Sequence, residues 1–222
     1  MTQALETVSA YAFATETLDP GPRFPYAFTP HPVPRYGYRT YDCVPSSPGP
    51  AFTDLDLLVS AGLNADLNVR TLVRLRSFAD RAAEHLEAAH RIQPDFLLLP
   101  RDELGDSPPQ GTAGWHLHEA WRQGTATPGL KVARVHKVLH HKRPRLVPLL
   151  DNWTIAPIDT AATSRGCTAW QQIHDEIHAH AEQFRDLAAA FDQLACGPGD
   201  VSLSHLRLYD ILIWMSVRHL PG

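Results

Sequence analysis

Nine of the 19 prolines lie in the first 50 residues, so no long helix can run through the stretch where they cluster. Five of the six tyrosines share this segment. Its densest part reads Phe24-Pro-Tyr-Ala-Phe-Thr-Pro-His-Pro-Val-Pro-Arg-Tyr-Gly-Tyr38. The expectation is an extended arm over residues 1–50, packed on the core, with a short strand around Tyr36–Val44. Its aromatic rings either staple the arm to the core or stack on a base and line a pocket.

From Thr53 onward the apolar residues recur at helical spacing, and almost nothing alternates with period two. Residues 51–222 are therefore expected to form a single helical domain, and the fold class is all-α. Thr53 and Asn68 stand where N-caps belong. Asn68 opens a long helix with Val69, Leu72, Val73, Leu75, Phe78, Ala79, Ala82 and Leu86 on its apolar side. Pro94–Pro100 encloses a helical turn, and the polar Arg101–Gly114 reads as a surface loop. Further helices are expected over Thr112–Arg122, Gly129–His141, Trp153–Thr160, Trp170–Leu194 and Ser202–His219. No internal repeat is visible.

Composition narrows the function classes. A hydrophobic content of 44% with 20% charged residues suits a globular protein with a sizeable core. No apolar run approaches a membrane span, and no basic-then-apolar leader is visible. Cys43, Cys167 and Cys196 are few and far apart, which fits no disulfide or metal spacing and suits a reduced, cytoplasmic protein. No cofactor or metal is called for, and the sequence leaves the oligomeric state open. The net charge of −4 means that any affinity for phosphate must come from a local patch.

Such a patch exists. The three lysines of the chain, Lys131, Lys137 and Lys142, lie within one short stretch. From Lys131 to Arg145 there are six Lys/Arg and three His with no acid, and the segment then delivers one carboxylate, Asp151. A cationic stretch ending in a carboxylate suits work on an anionic substrate. Lysine also adds what arginine lacks, a proton it readily loses to become a nucleophile.

The order turn, Gly129, Lys131, helix, Pro-containing loop, Asp151, helix resembles the helix-hairpin-helix DNA glycosylase superfamily. That group includes 8-oxoguanine glycosylase and the endonuclease-III-like enzymes. The resemblance covers about residues 115–160. Gly129-Leu-Lys131-Val-Ala matches a hairpin glycine, the lysine and the helix start. Lys142-Arg-Pro-Arg-Leu-Val-Pro-Leu-Leu-Asp151 matches the loop that ends in the catalytic aspartate. Thr127 stands at the first hairpin glycine position, and no iron–sulfur cysteine cluster is present. The block also looks like that of an uncharacterised bacterial domain family.

The resemblance implies a DNA partner and hydrolysis of an N-glycosidic bond to a damaged or modified base. Asp151 would be the essential carboxylate, and Lys131 the nucleophile of a lyase step. Gly129, Arg134, Lys137, Lys142, Arg143 and Arg145 would hold backbone phosphates, and Trp153 would stack on an extruded base. The chemistry is sound in itself, because a carboxylate facing the sugar stabilises the charge that builds as the bond breaks. Two other functions fit the same residues: a non-catalytic nucleic-acid or protein binding module, and a nucleosidase acting on a small nucleoside or nucleotide. Plainer roles are an N-cap for Asp151, a solvated helix charge for Lys131, and basic surface for the rest.

Elsewhere, His174 and His178 stand at i,i+4 spacing, which suits zinc but lacks a third ligand. His116 and His118 at i,i+2 do not share a helix face. Asp210, inside the apolar stretch Leu206–Met215, must be paired if buried, and Arg207 or an arginine elsewhere is its expected partner.

Overall fold

A computed structural model describes residues 2–17, 32–63 and 67–218. The protein is all-α, with one ribbon of two three-residue strands. The helices are α1 (Thr2–Phe13), α2 (Asp54–Leu58), α3 (Val69–Ile92), α4 (Ala113–Thr125), α5 (Val132–Lys142), α6 (Ile155–Arg165), α7 (Ala169–Ala179), α8 (Ala181–Leu194) and α9 (His205–Arg218).

The described residues among the first 50 are more regular than an extended arm. Helix α1 forms ahead of the first proline, Pro20, in a stretch free of proline and glycine. It buries Val8, Tyr11 and Ala12 against α8 and α9. Strands β1 (Thr15–Thr17) and β2 (Pro32–Pro34) then pair antiparallel, with Thr15 opposite Pro34. The strand expected near Tyr36–Val44 is instead a π-helical turn, Tyr38–Asp42, in which Cys43 N–H donates to the Tyr38 carbonyl at 2.8 Å. Helical spacing turns both Tyr38 and Tyr41 inward, where a strand would have sent them to opposite faces. The Tyr38 hydroxyl donates to the Val201 carbonyl at 2.9 Å and the Tyr41 hydroxyl to that of Lys137 at 2.6 Å. The tract from Phe24 to His31, expected to be extended, lies outside the described residues.

Both expected caps form. Thr53 and Asp56 make a reciprocal capping box on α2, and Asn68 accepts from Thr71 N–H at 2.9 Å on α3. Helix α3 buries Leu75, Phe78, Ala79, Ala82, Leu86 and Ala89. Val69 and Val73, expected on that face, are exposed. Helix α4 lies against α3, and Gly124 lets α5 approach. A Cβ there would sit 2.5 Å from a Val135 methyl, which is no room at all. The loop after Arg101 also turns helically at Arg101–Leu104 and buries Leu104.

The long helix expected over Trp170–Leu194 is two helices, broken at His180 (φ −119°, ψ 27°). Ile177 and Phe184, seven residues apart, keep helical phase across the break, so the apolar spacing carries no trace of it. The bend lets α8 lean on α1 and α9 while α7 packs on α6. Helix α9 buries Leu206, Leu208, Tyr209, Ile211 and Met215, and with them Arg207 and Asp210.

Candidate active-site cleft

The turn between α4 and α5 fixes the start of the site. Leu130 N–H donates to the Thr127 carbonyl at 3.1 Å, with Pro128 and Gly129 between them. Gly129 has φ +80°, so proline second and glycine third make a type II turn. The Arg74 guanidinium lies where a side chain on Gly129 would go. Lys131 follows at the N-cap position of α5 and is exposed.

The rest of α5 turns inward on nearly all sides. His136 Nδ1–H donates to the Pro148 carbonyl at 2.8 Å, and His140 Nδ1–H to that of Val147 at 2.6 Å. These carbonyls accept only, which fixes the proton on Nδ1 in both rings. Burial pushes His136 down to about 4 and His140 down to about 3, so both are neutral near pH 7. The two bonds clamp the returning loop onto α5 and set where Asp151 emerges.

Asp151 performs two tasks at once. Its Oδ1 accepts from Trp153 N–H at 2.8 Å and from Thr154 N–H at 3.0 Å, opening the turn that leads into α6. Among the described residues its Oδ2 takes no hydrogen bond, and it is not sealed off. The N-cap position of α6 is Thr154, so Asp151 holds the preceding turn, and that turn orients the carboxylate without consuming it.

Asp151 lines a cleft of about 890 Å³. Lys131, Arg134, Lys137, Asp151 and Trp153 all line it, together with Tyr36 and, from α9, Arg207, Asp210, Trp214 and Arg218. Trp153 is 61% exposed, which is unusual for so large an apolar ring. Trp214 is packed, edge-on to Tyr36 at 5.6 Å and under the Arg218 guanidinium at 4.8 Å. A second cavity of about 520 Å³ lies beyond Arg207, lined by Tyr41, His140 and His141 but not by Asp151.

The basic segment does not form one phosphate-binding face. Lys137 is 6% exposed and donates to the Leu63 carbonyl at 2.6 Å. Burial lowers its pKa, opposed by the charges of Asp151 and Asp210. Lys142 is sealed in. Its ammonium donates to Ser47 O at 2.9 Å, Ser47 Oγ at 2.5 Å and Ala51 O at 2.6 Å, and sits 3.5 Å from the Asp56 carboxylate. Burial alone would raise the Asp56 pKa, but hydrogen bonds from Ser47 and Thr53 outweigh it and hold the group at about 2. Arg143 reaches Glu87 at 2.8 Å and Gly49 O at 3.1 Å, and Arg145 pairs with Asp95 at 2.6 Å. Lys142, Arg143 and Arg145 are thus occupied, and they lie at the far end of α5, about 16 Å from Lys131. Gly129 is exposed at the hairpin, beside the cleft rather than in its lining.

The histidine pairs have other partners. The His174 and His178 rings lie 4.3 Å apart, but His178 Nε2–H is spent on the Leu97 carbonyl at 2.8 Å. His116 pairs with His85 at 3.1 Å. Among the described residues no group of three His, Cys, Asp or Glu could hold a metal ion.

The floor of the cleft holds groups that the central segment does not announce. Asp210 is paired with Arg207, as its place in an apolar helix requires. Arg207 also donates to Asp42 Oδ1 at 2.7 Å and to the Tyr11 hydroxyl. Asp210 Oδ2 takes the Arg207 bond, while Oδ1 is buried with no partner among the described residues. Burial raises the Asp210 pKa to about 7; Arg207 opposes the rise, and Asp151 adds to it.

Fold and cleft together define an all-helical protein with a carboxylate-bearing, cation-rimmed groove. The chain belongs to a family of unknown function, DUF6308, whose model matches residues 24–217. No curated protein and no solved structure gives a significant match. Among the described residues no helix is long and apolar enough to cross a membrane.

Proposed function

We propose that the protein is an N-glycosylase of helix-hairpin-helix type that hydrolyses the bond between sugar and a damaged or modified base in DNA. The observation that carries this reading is Asp151: one carboxylate oxygen is fixed by two backbone amides, and the residue lines a cleft shared with Lys131, Arg134 and Trp153. The turn, helix, proline loop, aspartate and helix follow in the order the resemblance requires. In this reading the Asp151 carboxylate faces the sugar and receives the proton of the attacking water. Lys131 and Arg134 hold phosphate at the rim, and Trp153 stacks on the extruded base. If a lyase step follows, the Lys131 amine attacks C1′ of the freed sugar.

A second reading, a nucleosidase for a small nucleotide, is favoured by the occupation of Lys142, Arg143 and Arg145, which leaves a short cationic rim. The test is base release from duplexes, single strands and free nucleotides carrying deaminated, alkylated or oxidised bases. Asp151→Asn should lower release by roughly 100-fold or more. Equal release by variant and wild type removes Asp151 from catalysis, and release from free nucleotides alone selects the nucleosidase.

A further inference from the structure

We propose that Asp210 is a second working carboxylate of the cleft, the acid that protonates the departing base. This rests on the N-glycosylase reading of Asp151 and adds to it a group from a distant part of the chain. The geometry begins with the two oxygens of Asp210. Oδ2 accepts from Arg207, so a proton on this carboxyl resides on Oδ1, the oxygen with no partner among the described residues. A buried oxygen without a partner is costly, by about 1–3 kcal/mol, and a hydrogen-bonding ligand removes that cost. Asp210 lines the same cleft as Asp151.

The two carboxyls stand in opposite surroundings. Asp151 accepts two backbone N–H bonds at the start of a helical turn. Asp210 is 4% exposed and feels the charges of Asp151 and Asp42, which disfavour a further anion. Arg207 and Lys137 oppose that effect, and the Tyr11 hydroxyl joins the same network through Arg207 and Asp42. A carboxyl kept apart from water beside one open to the cleft is how a site can divide acid from base.

The step balances. Water attacks C1′ and gives its proton to Asp151 Oδ2. The C1′–N electron pair leaves with the base, whose nitrogen takes the proton from Asp210 Oδ1. Proton exchange with solvent then restores both groups.

The experiment compares wild type, Asp151→Asn and Asp210→Asn on two DNA substrates. One releases a neutral base, and the other an N7-methylated purine, which departs without protonation. Asp210→Asn should lose roughly 100-fold on the neutral base and stay within about 3-fold on the cationic one. The second substrate thereby also reports that the variant is folded. Wild-type release of the neutral base should fall as pH rises through about 7, because the raised pKa keeps the acid only below that point. The variant should lack that limb. Equal loss on both substrates, or none on either, overturns the role of Asp210 while leaving Asp151 standing. A wild type that releases neither base overturns the N-glycosylase reading itself. Infrared spectra of the wild type supply a check that needs no variant. A protonated-carboxyl band should be present at pH 6 and fade above about 7, and its absence overturns the proposal.

Discussion

Lys131 and Lys142 are the same residue type in the same basic stretch, yet they have opposite energetics. Lys142 is desolvated, and its ammonium is satisfied by three oxygens and the Asp56 carboxylate beside them. Removing it would strand Asp56 without its cation and open a cavity beside Phe52, whose ring lies 5.4 Å from the ammonium. Lys142→Ala should therefore cost about 3 kcal/mol or more in urea denaturation. Lys131→Ala, at an exposed position, should stay within about 0.5 kcal/mol. Equal costs would show that the Lys142 enclosure is not formed. The sequence distinguishes these lysines poorly, because its charge pattern contains nothing about Ser47, Ala51 or Asp56, all more than 80 positions upstream. Asp210 was easier to read. A carboxylate in an apolar helix demands a partner, and Arg207 one turn before it is the partner observed.

At the scale of elements, capping chemistry was legible and tertiary bends were not. Thr53 and Asn68 announce helix starts because their side-chain oxygens satisfy amides that the helix leaves free. The break at His180 leaves no such mark, and the turn Tyr38–Asp42 forms because two tyrosines need the same interior. The α4–α5 hairpin lies between these cases: Pro128-Gly129 signals a turn, but its role in aiming Lys131 and Asp151 emerges only from the folded pair. Gly129→Ala tests that role. With φ +80°, a Cβ costs about 1–2 kcal/mol of backbone strain, and the Arg74 guanidinium must move as well. The expected outcome is that loss in denaturation together with reduced base release. Unchanged values for both would mean that the hairpin does not set the site.

For the whole molecule, the cleft draws on distant regions of the chain, among them Arg35–Gly37, Lys131–Trp153 and Arg207–Arg218. The middle region was readable because it carries its chemistry in one run. The outer two join it only once α1, β2 and α9 have packed. Confinement of free cations to the rim has a measurable consequence. Each duplex phosphate neutralised contributes about −0.9 to the slope of log affinity against log salt. Two or three rim contacts predict a slope of about −2 to −3, where all six cations between Lys131 and Arg145 would give about −5. Fluorescence anisotropy across a salt series measures it, and a slope near −5 would mean that the far end of α5 also meets DNA.

The burial of α5 also makes the protein convenient to work with. Only three side chains carry a primary amine, and two of them are enclosed, Lys137 at 6% and Lys142 at 1% exposure. Amine-reactive dyes applied to the folded protein therefore have one lysine open to them, Lys131, at the mouth of the cleft. A fluorophore attached there would stand beside Arg134 and Trp153, where an arriving ligand changes its surroundings, so natural lysine scarcity supplies a ready-made optical reporter without engineered cysteines.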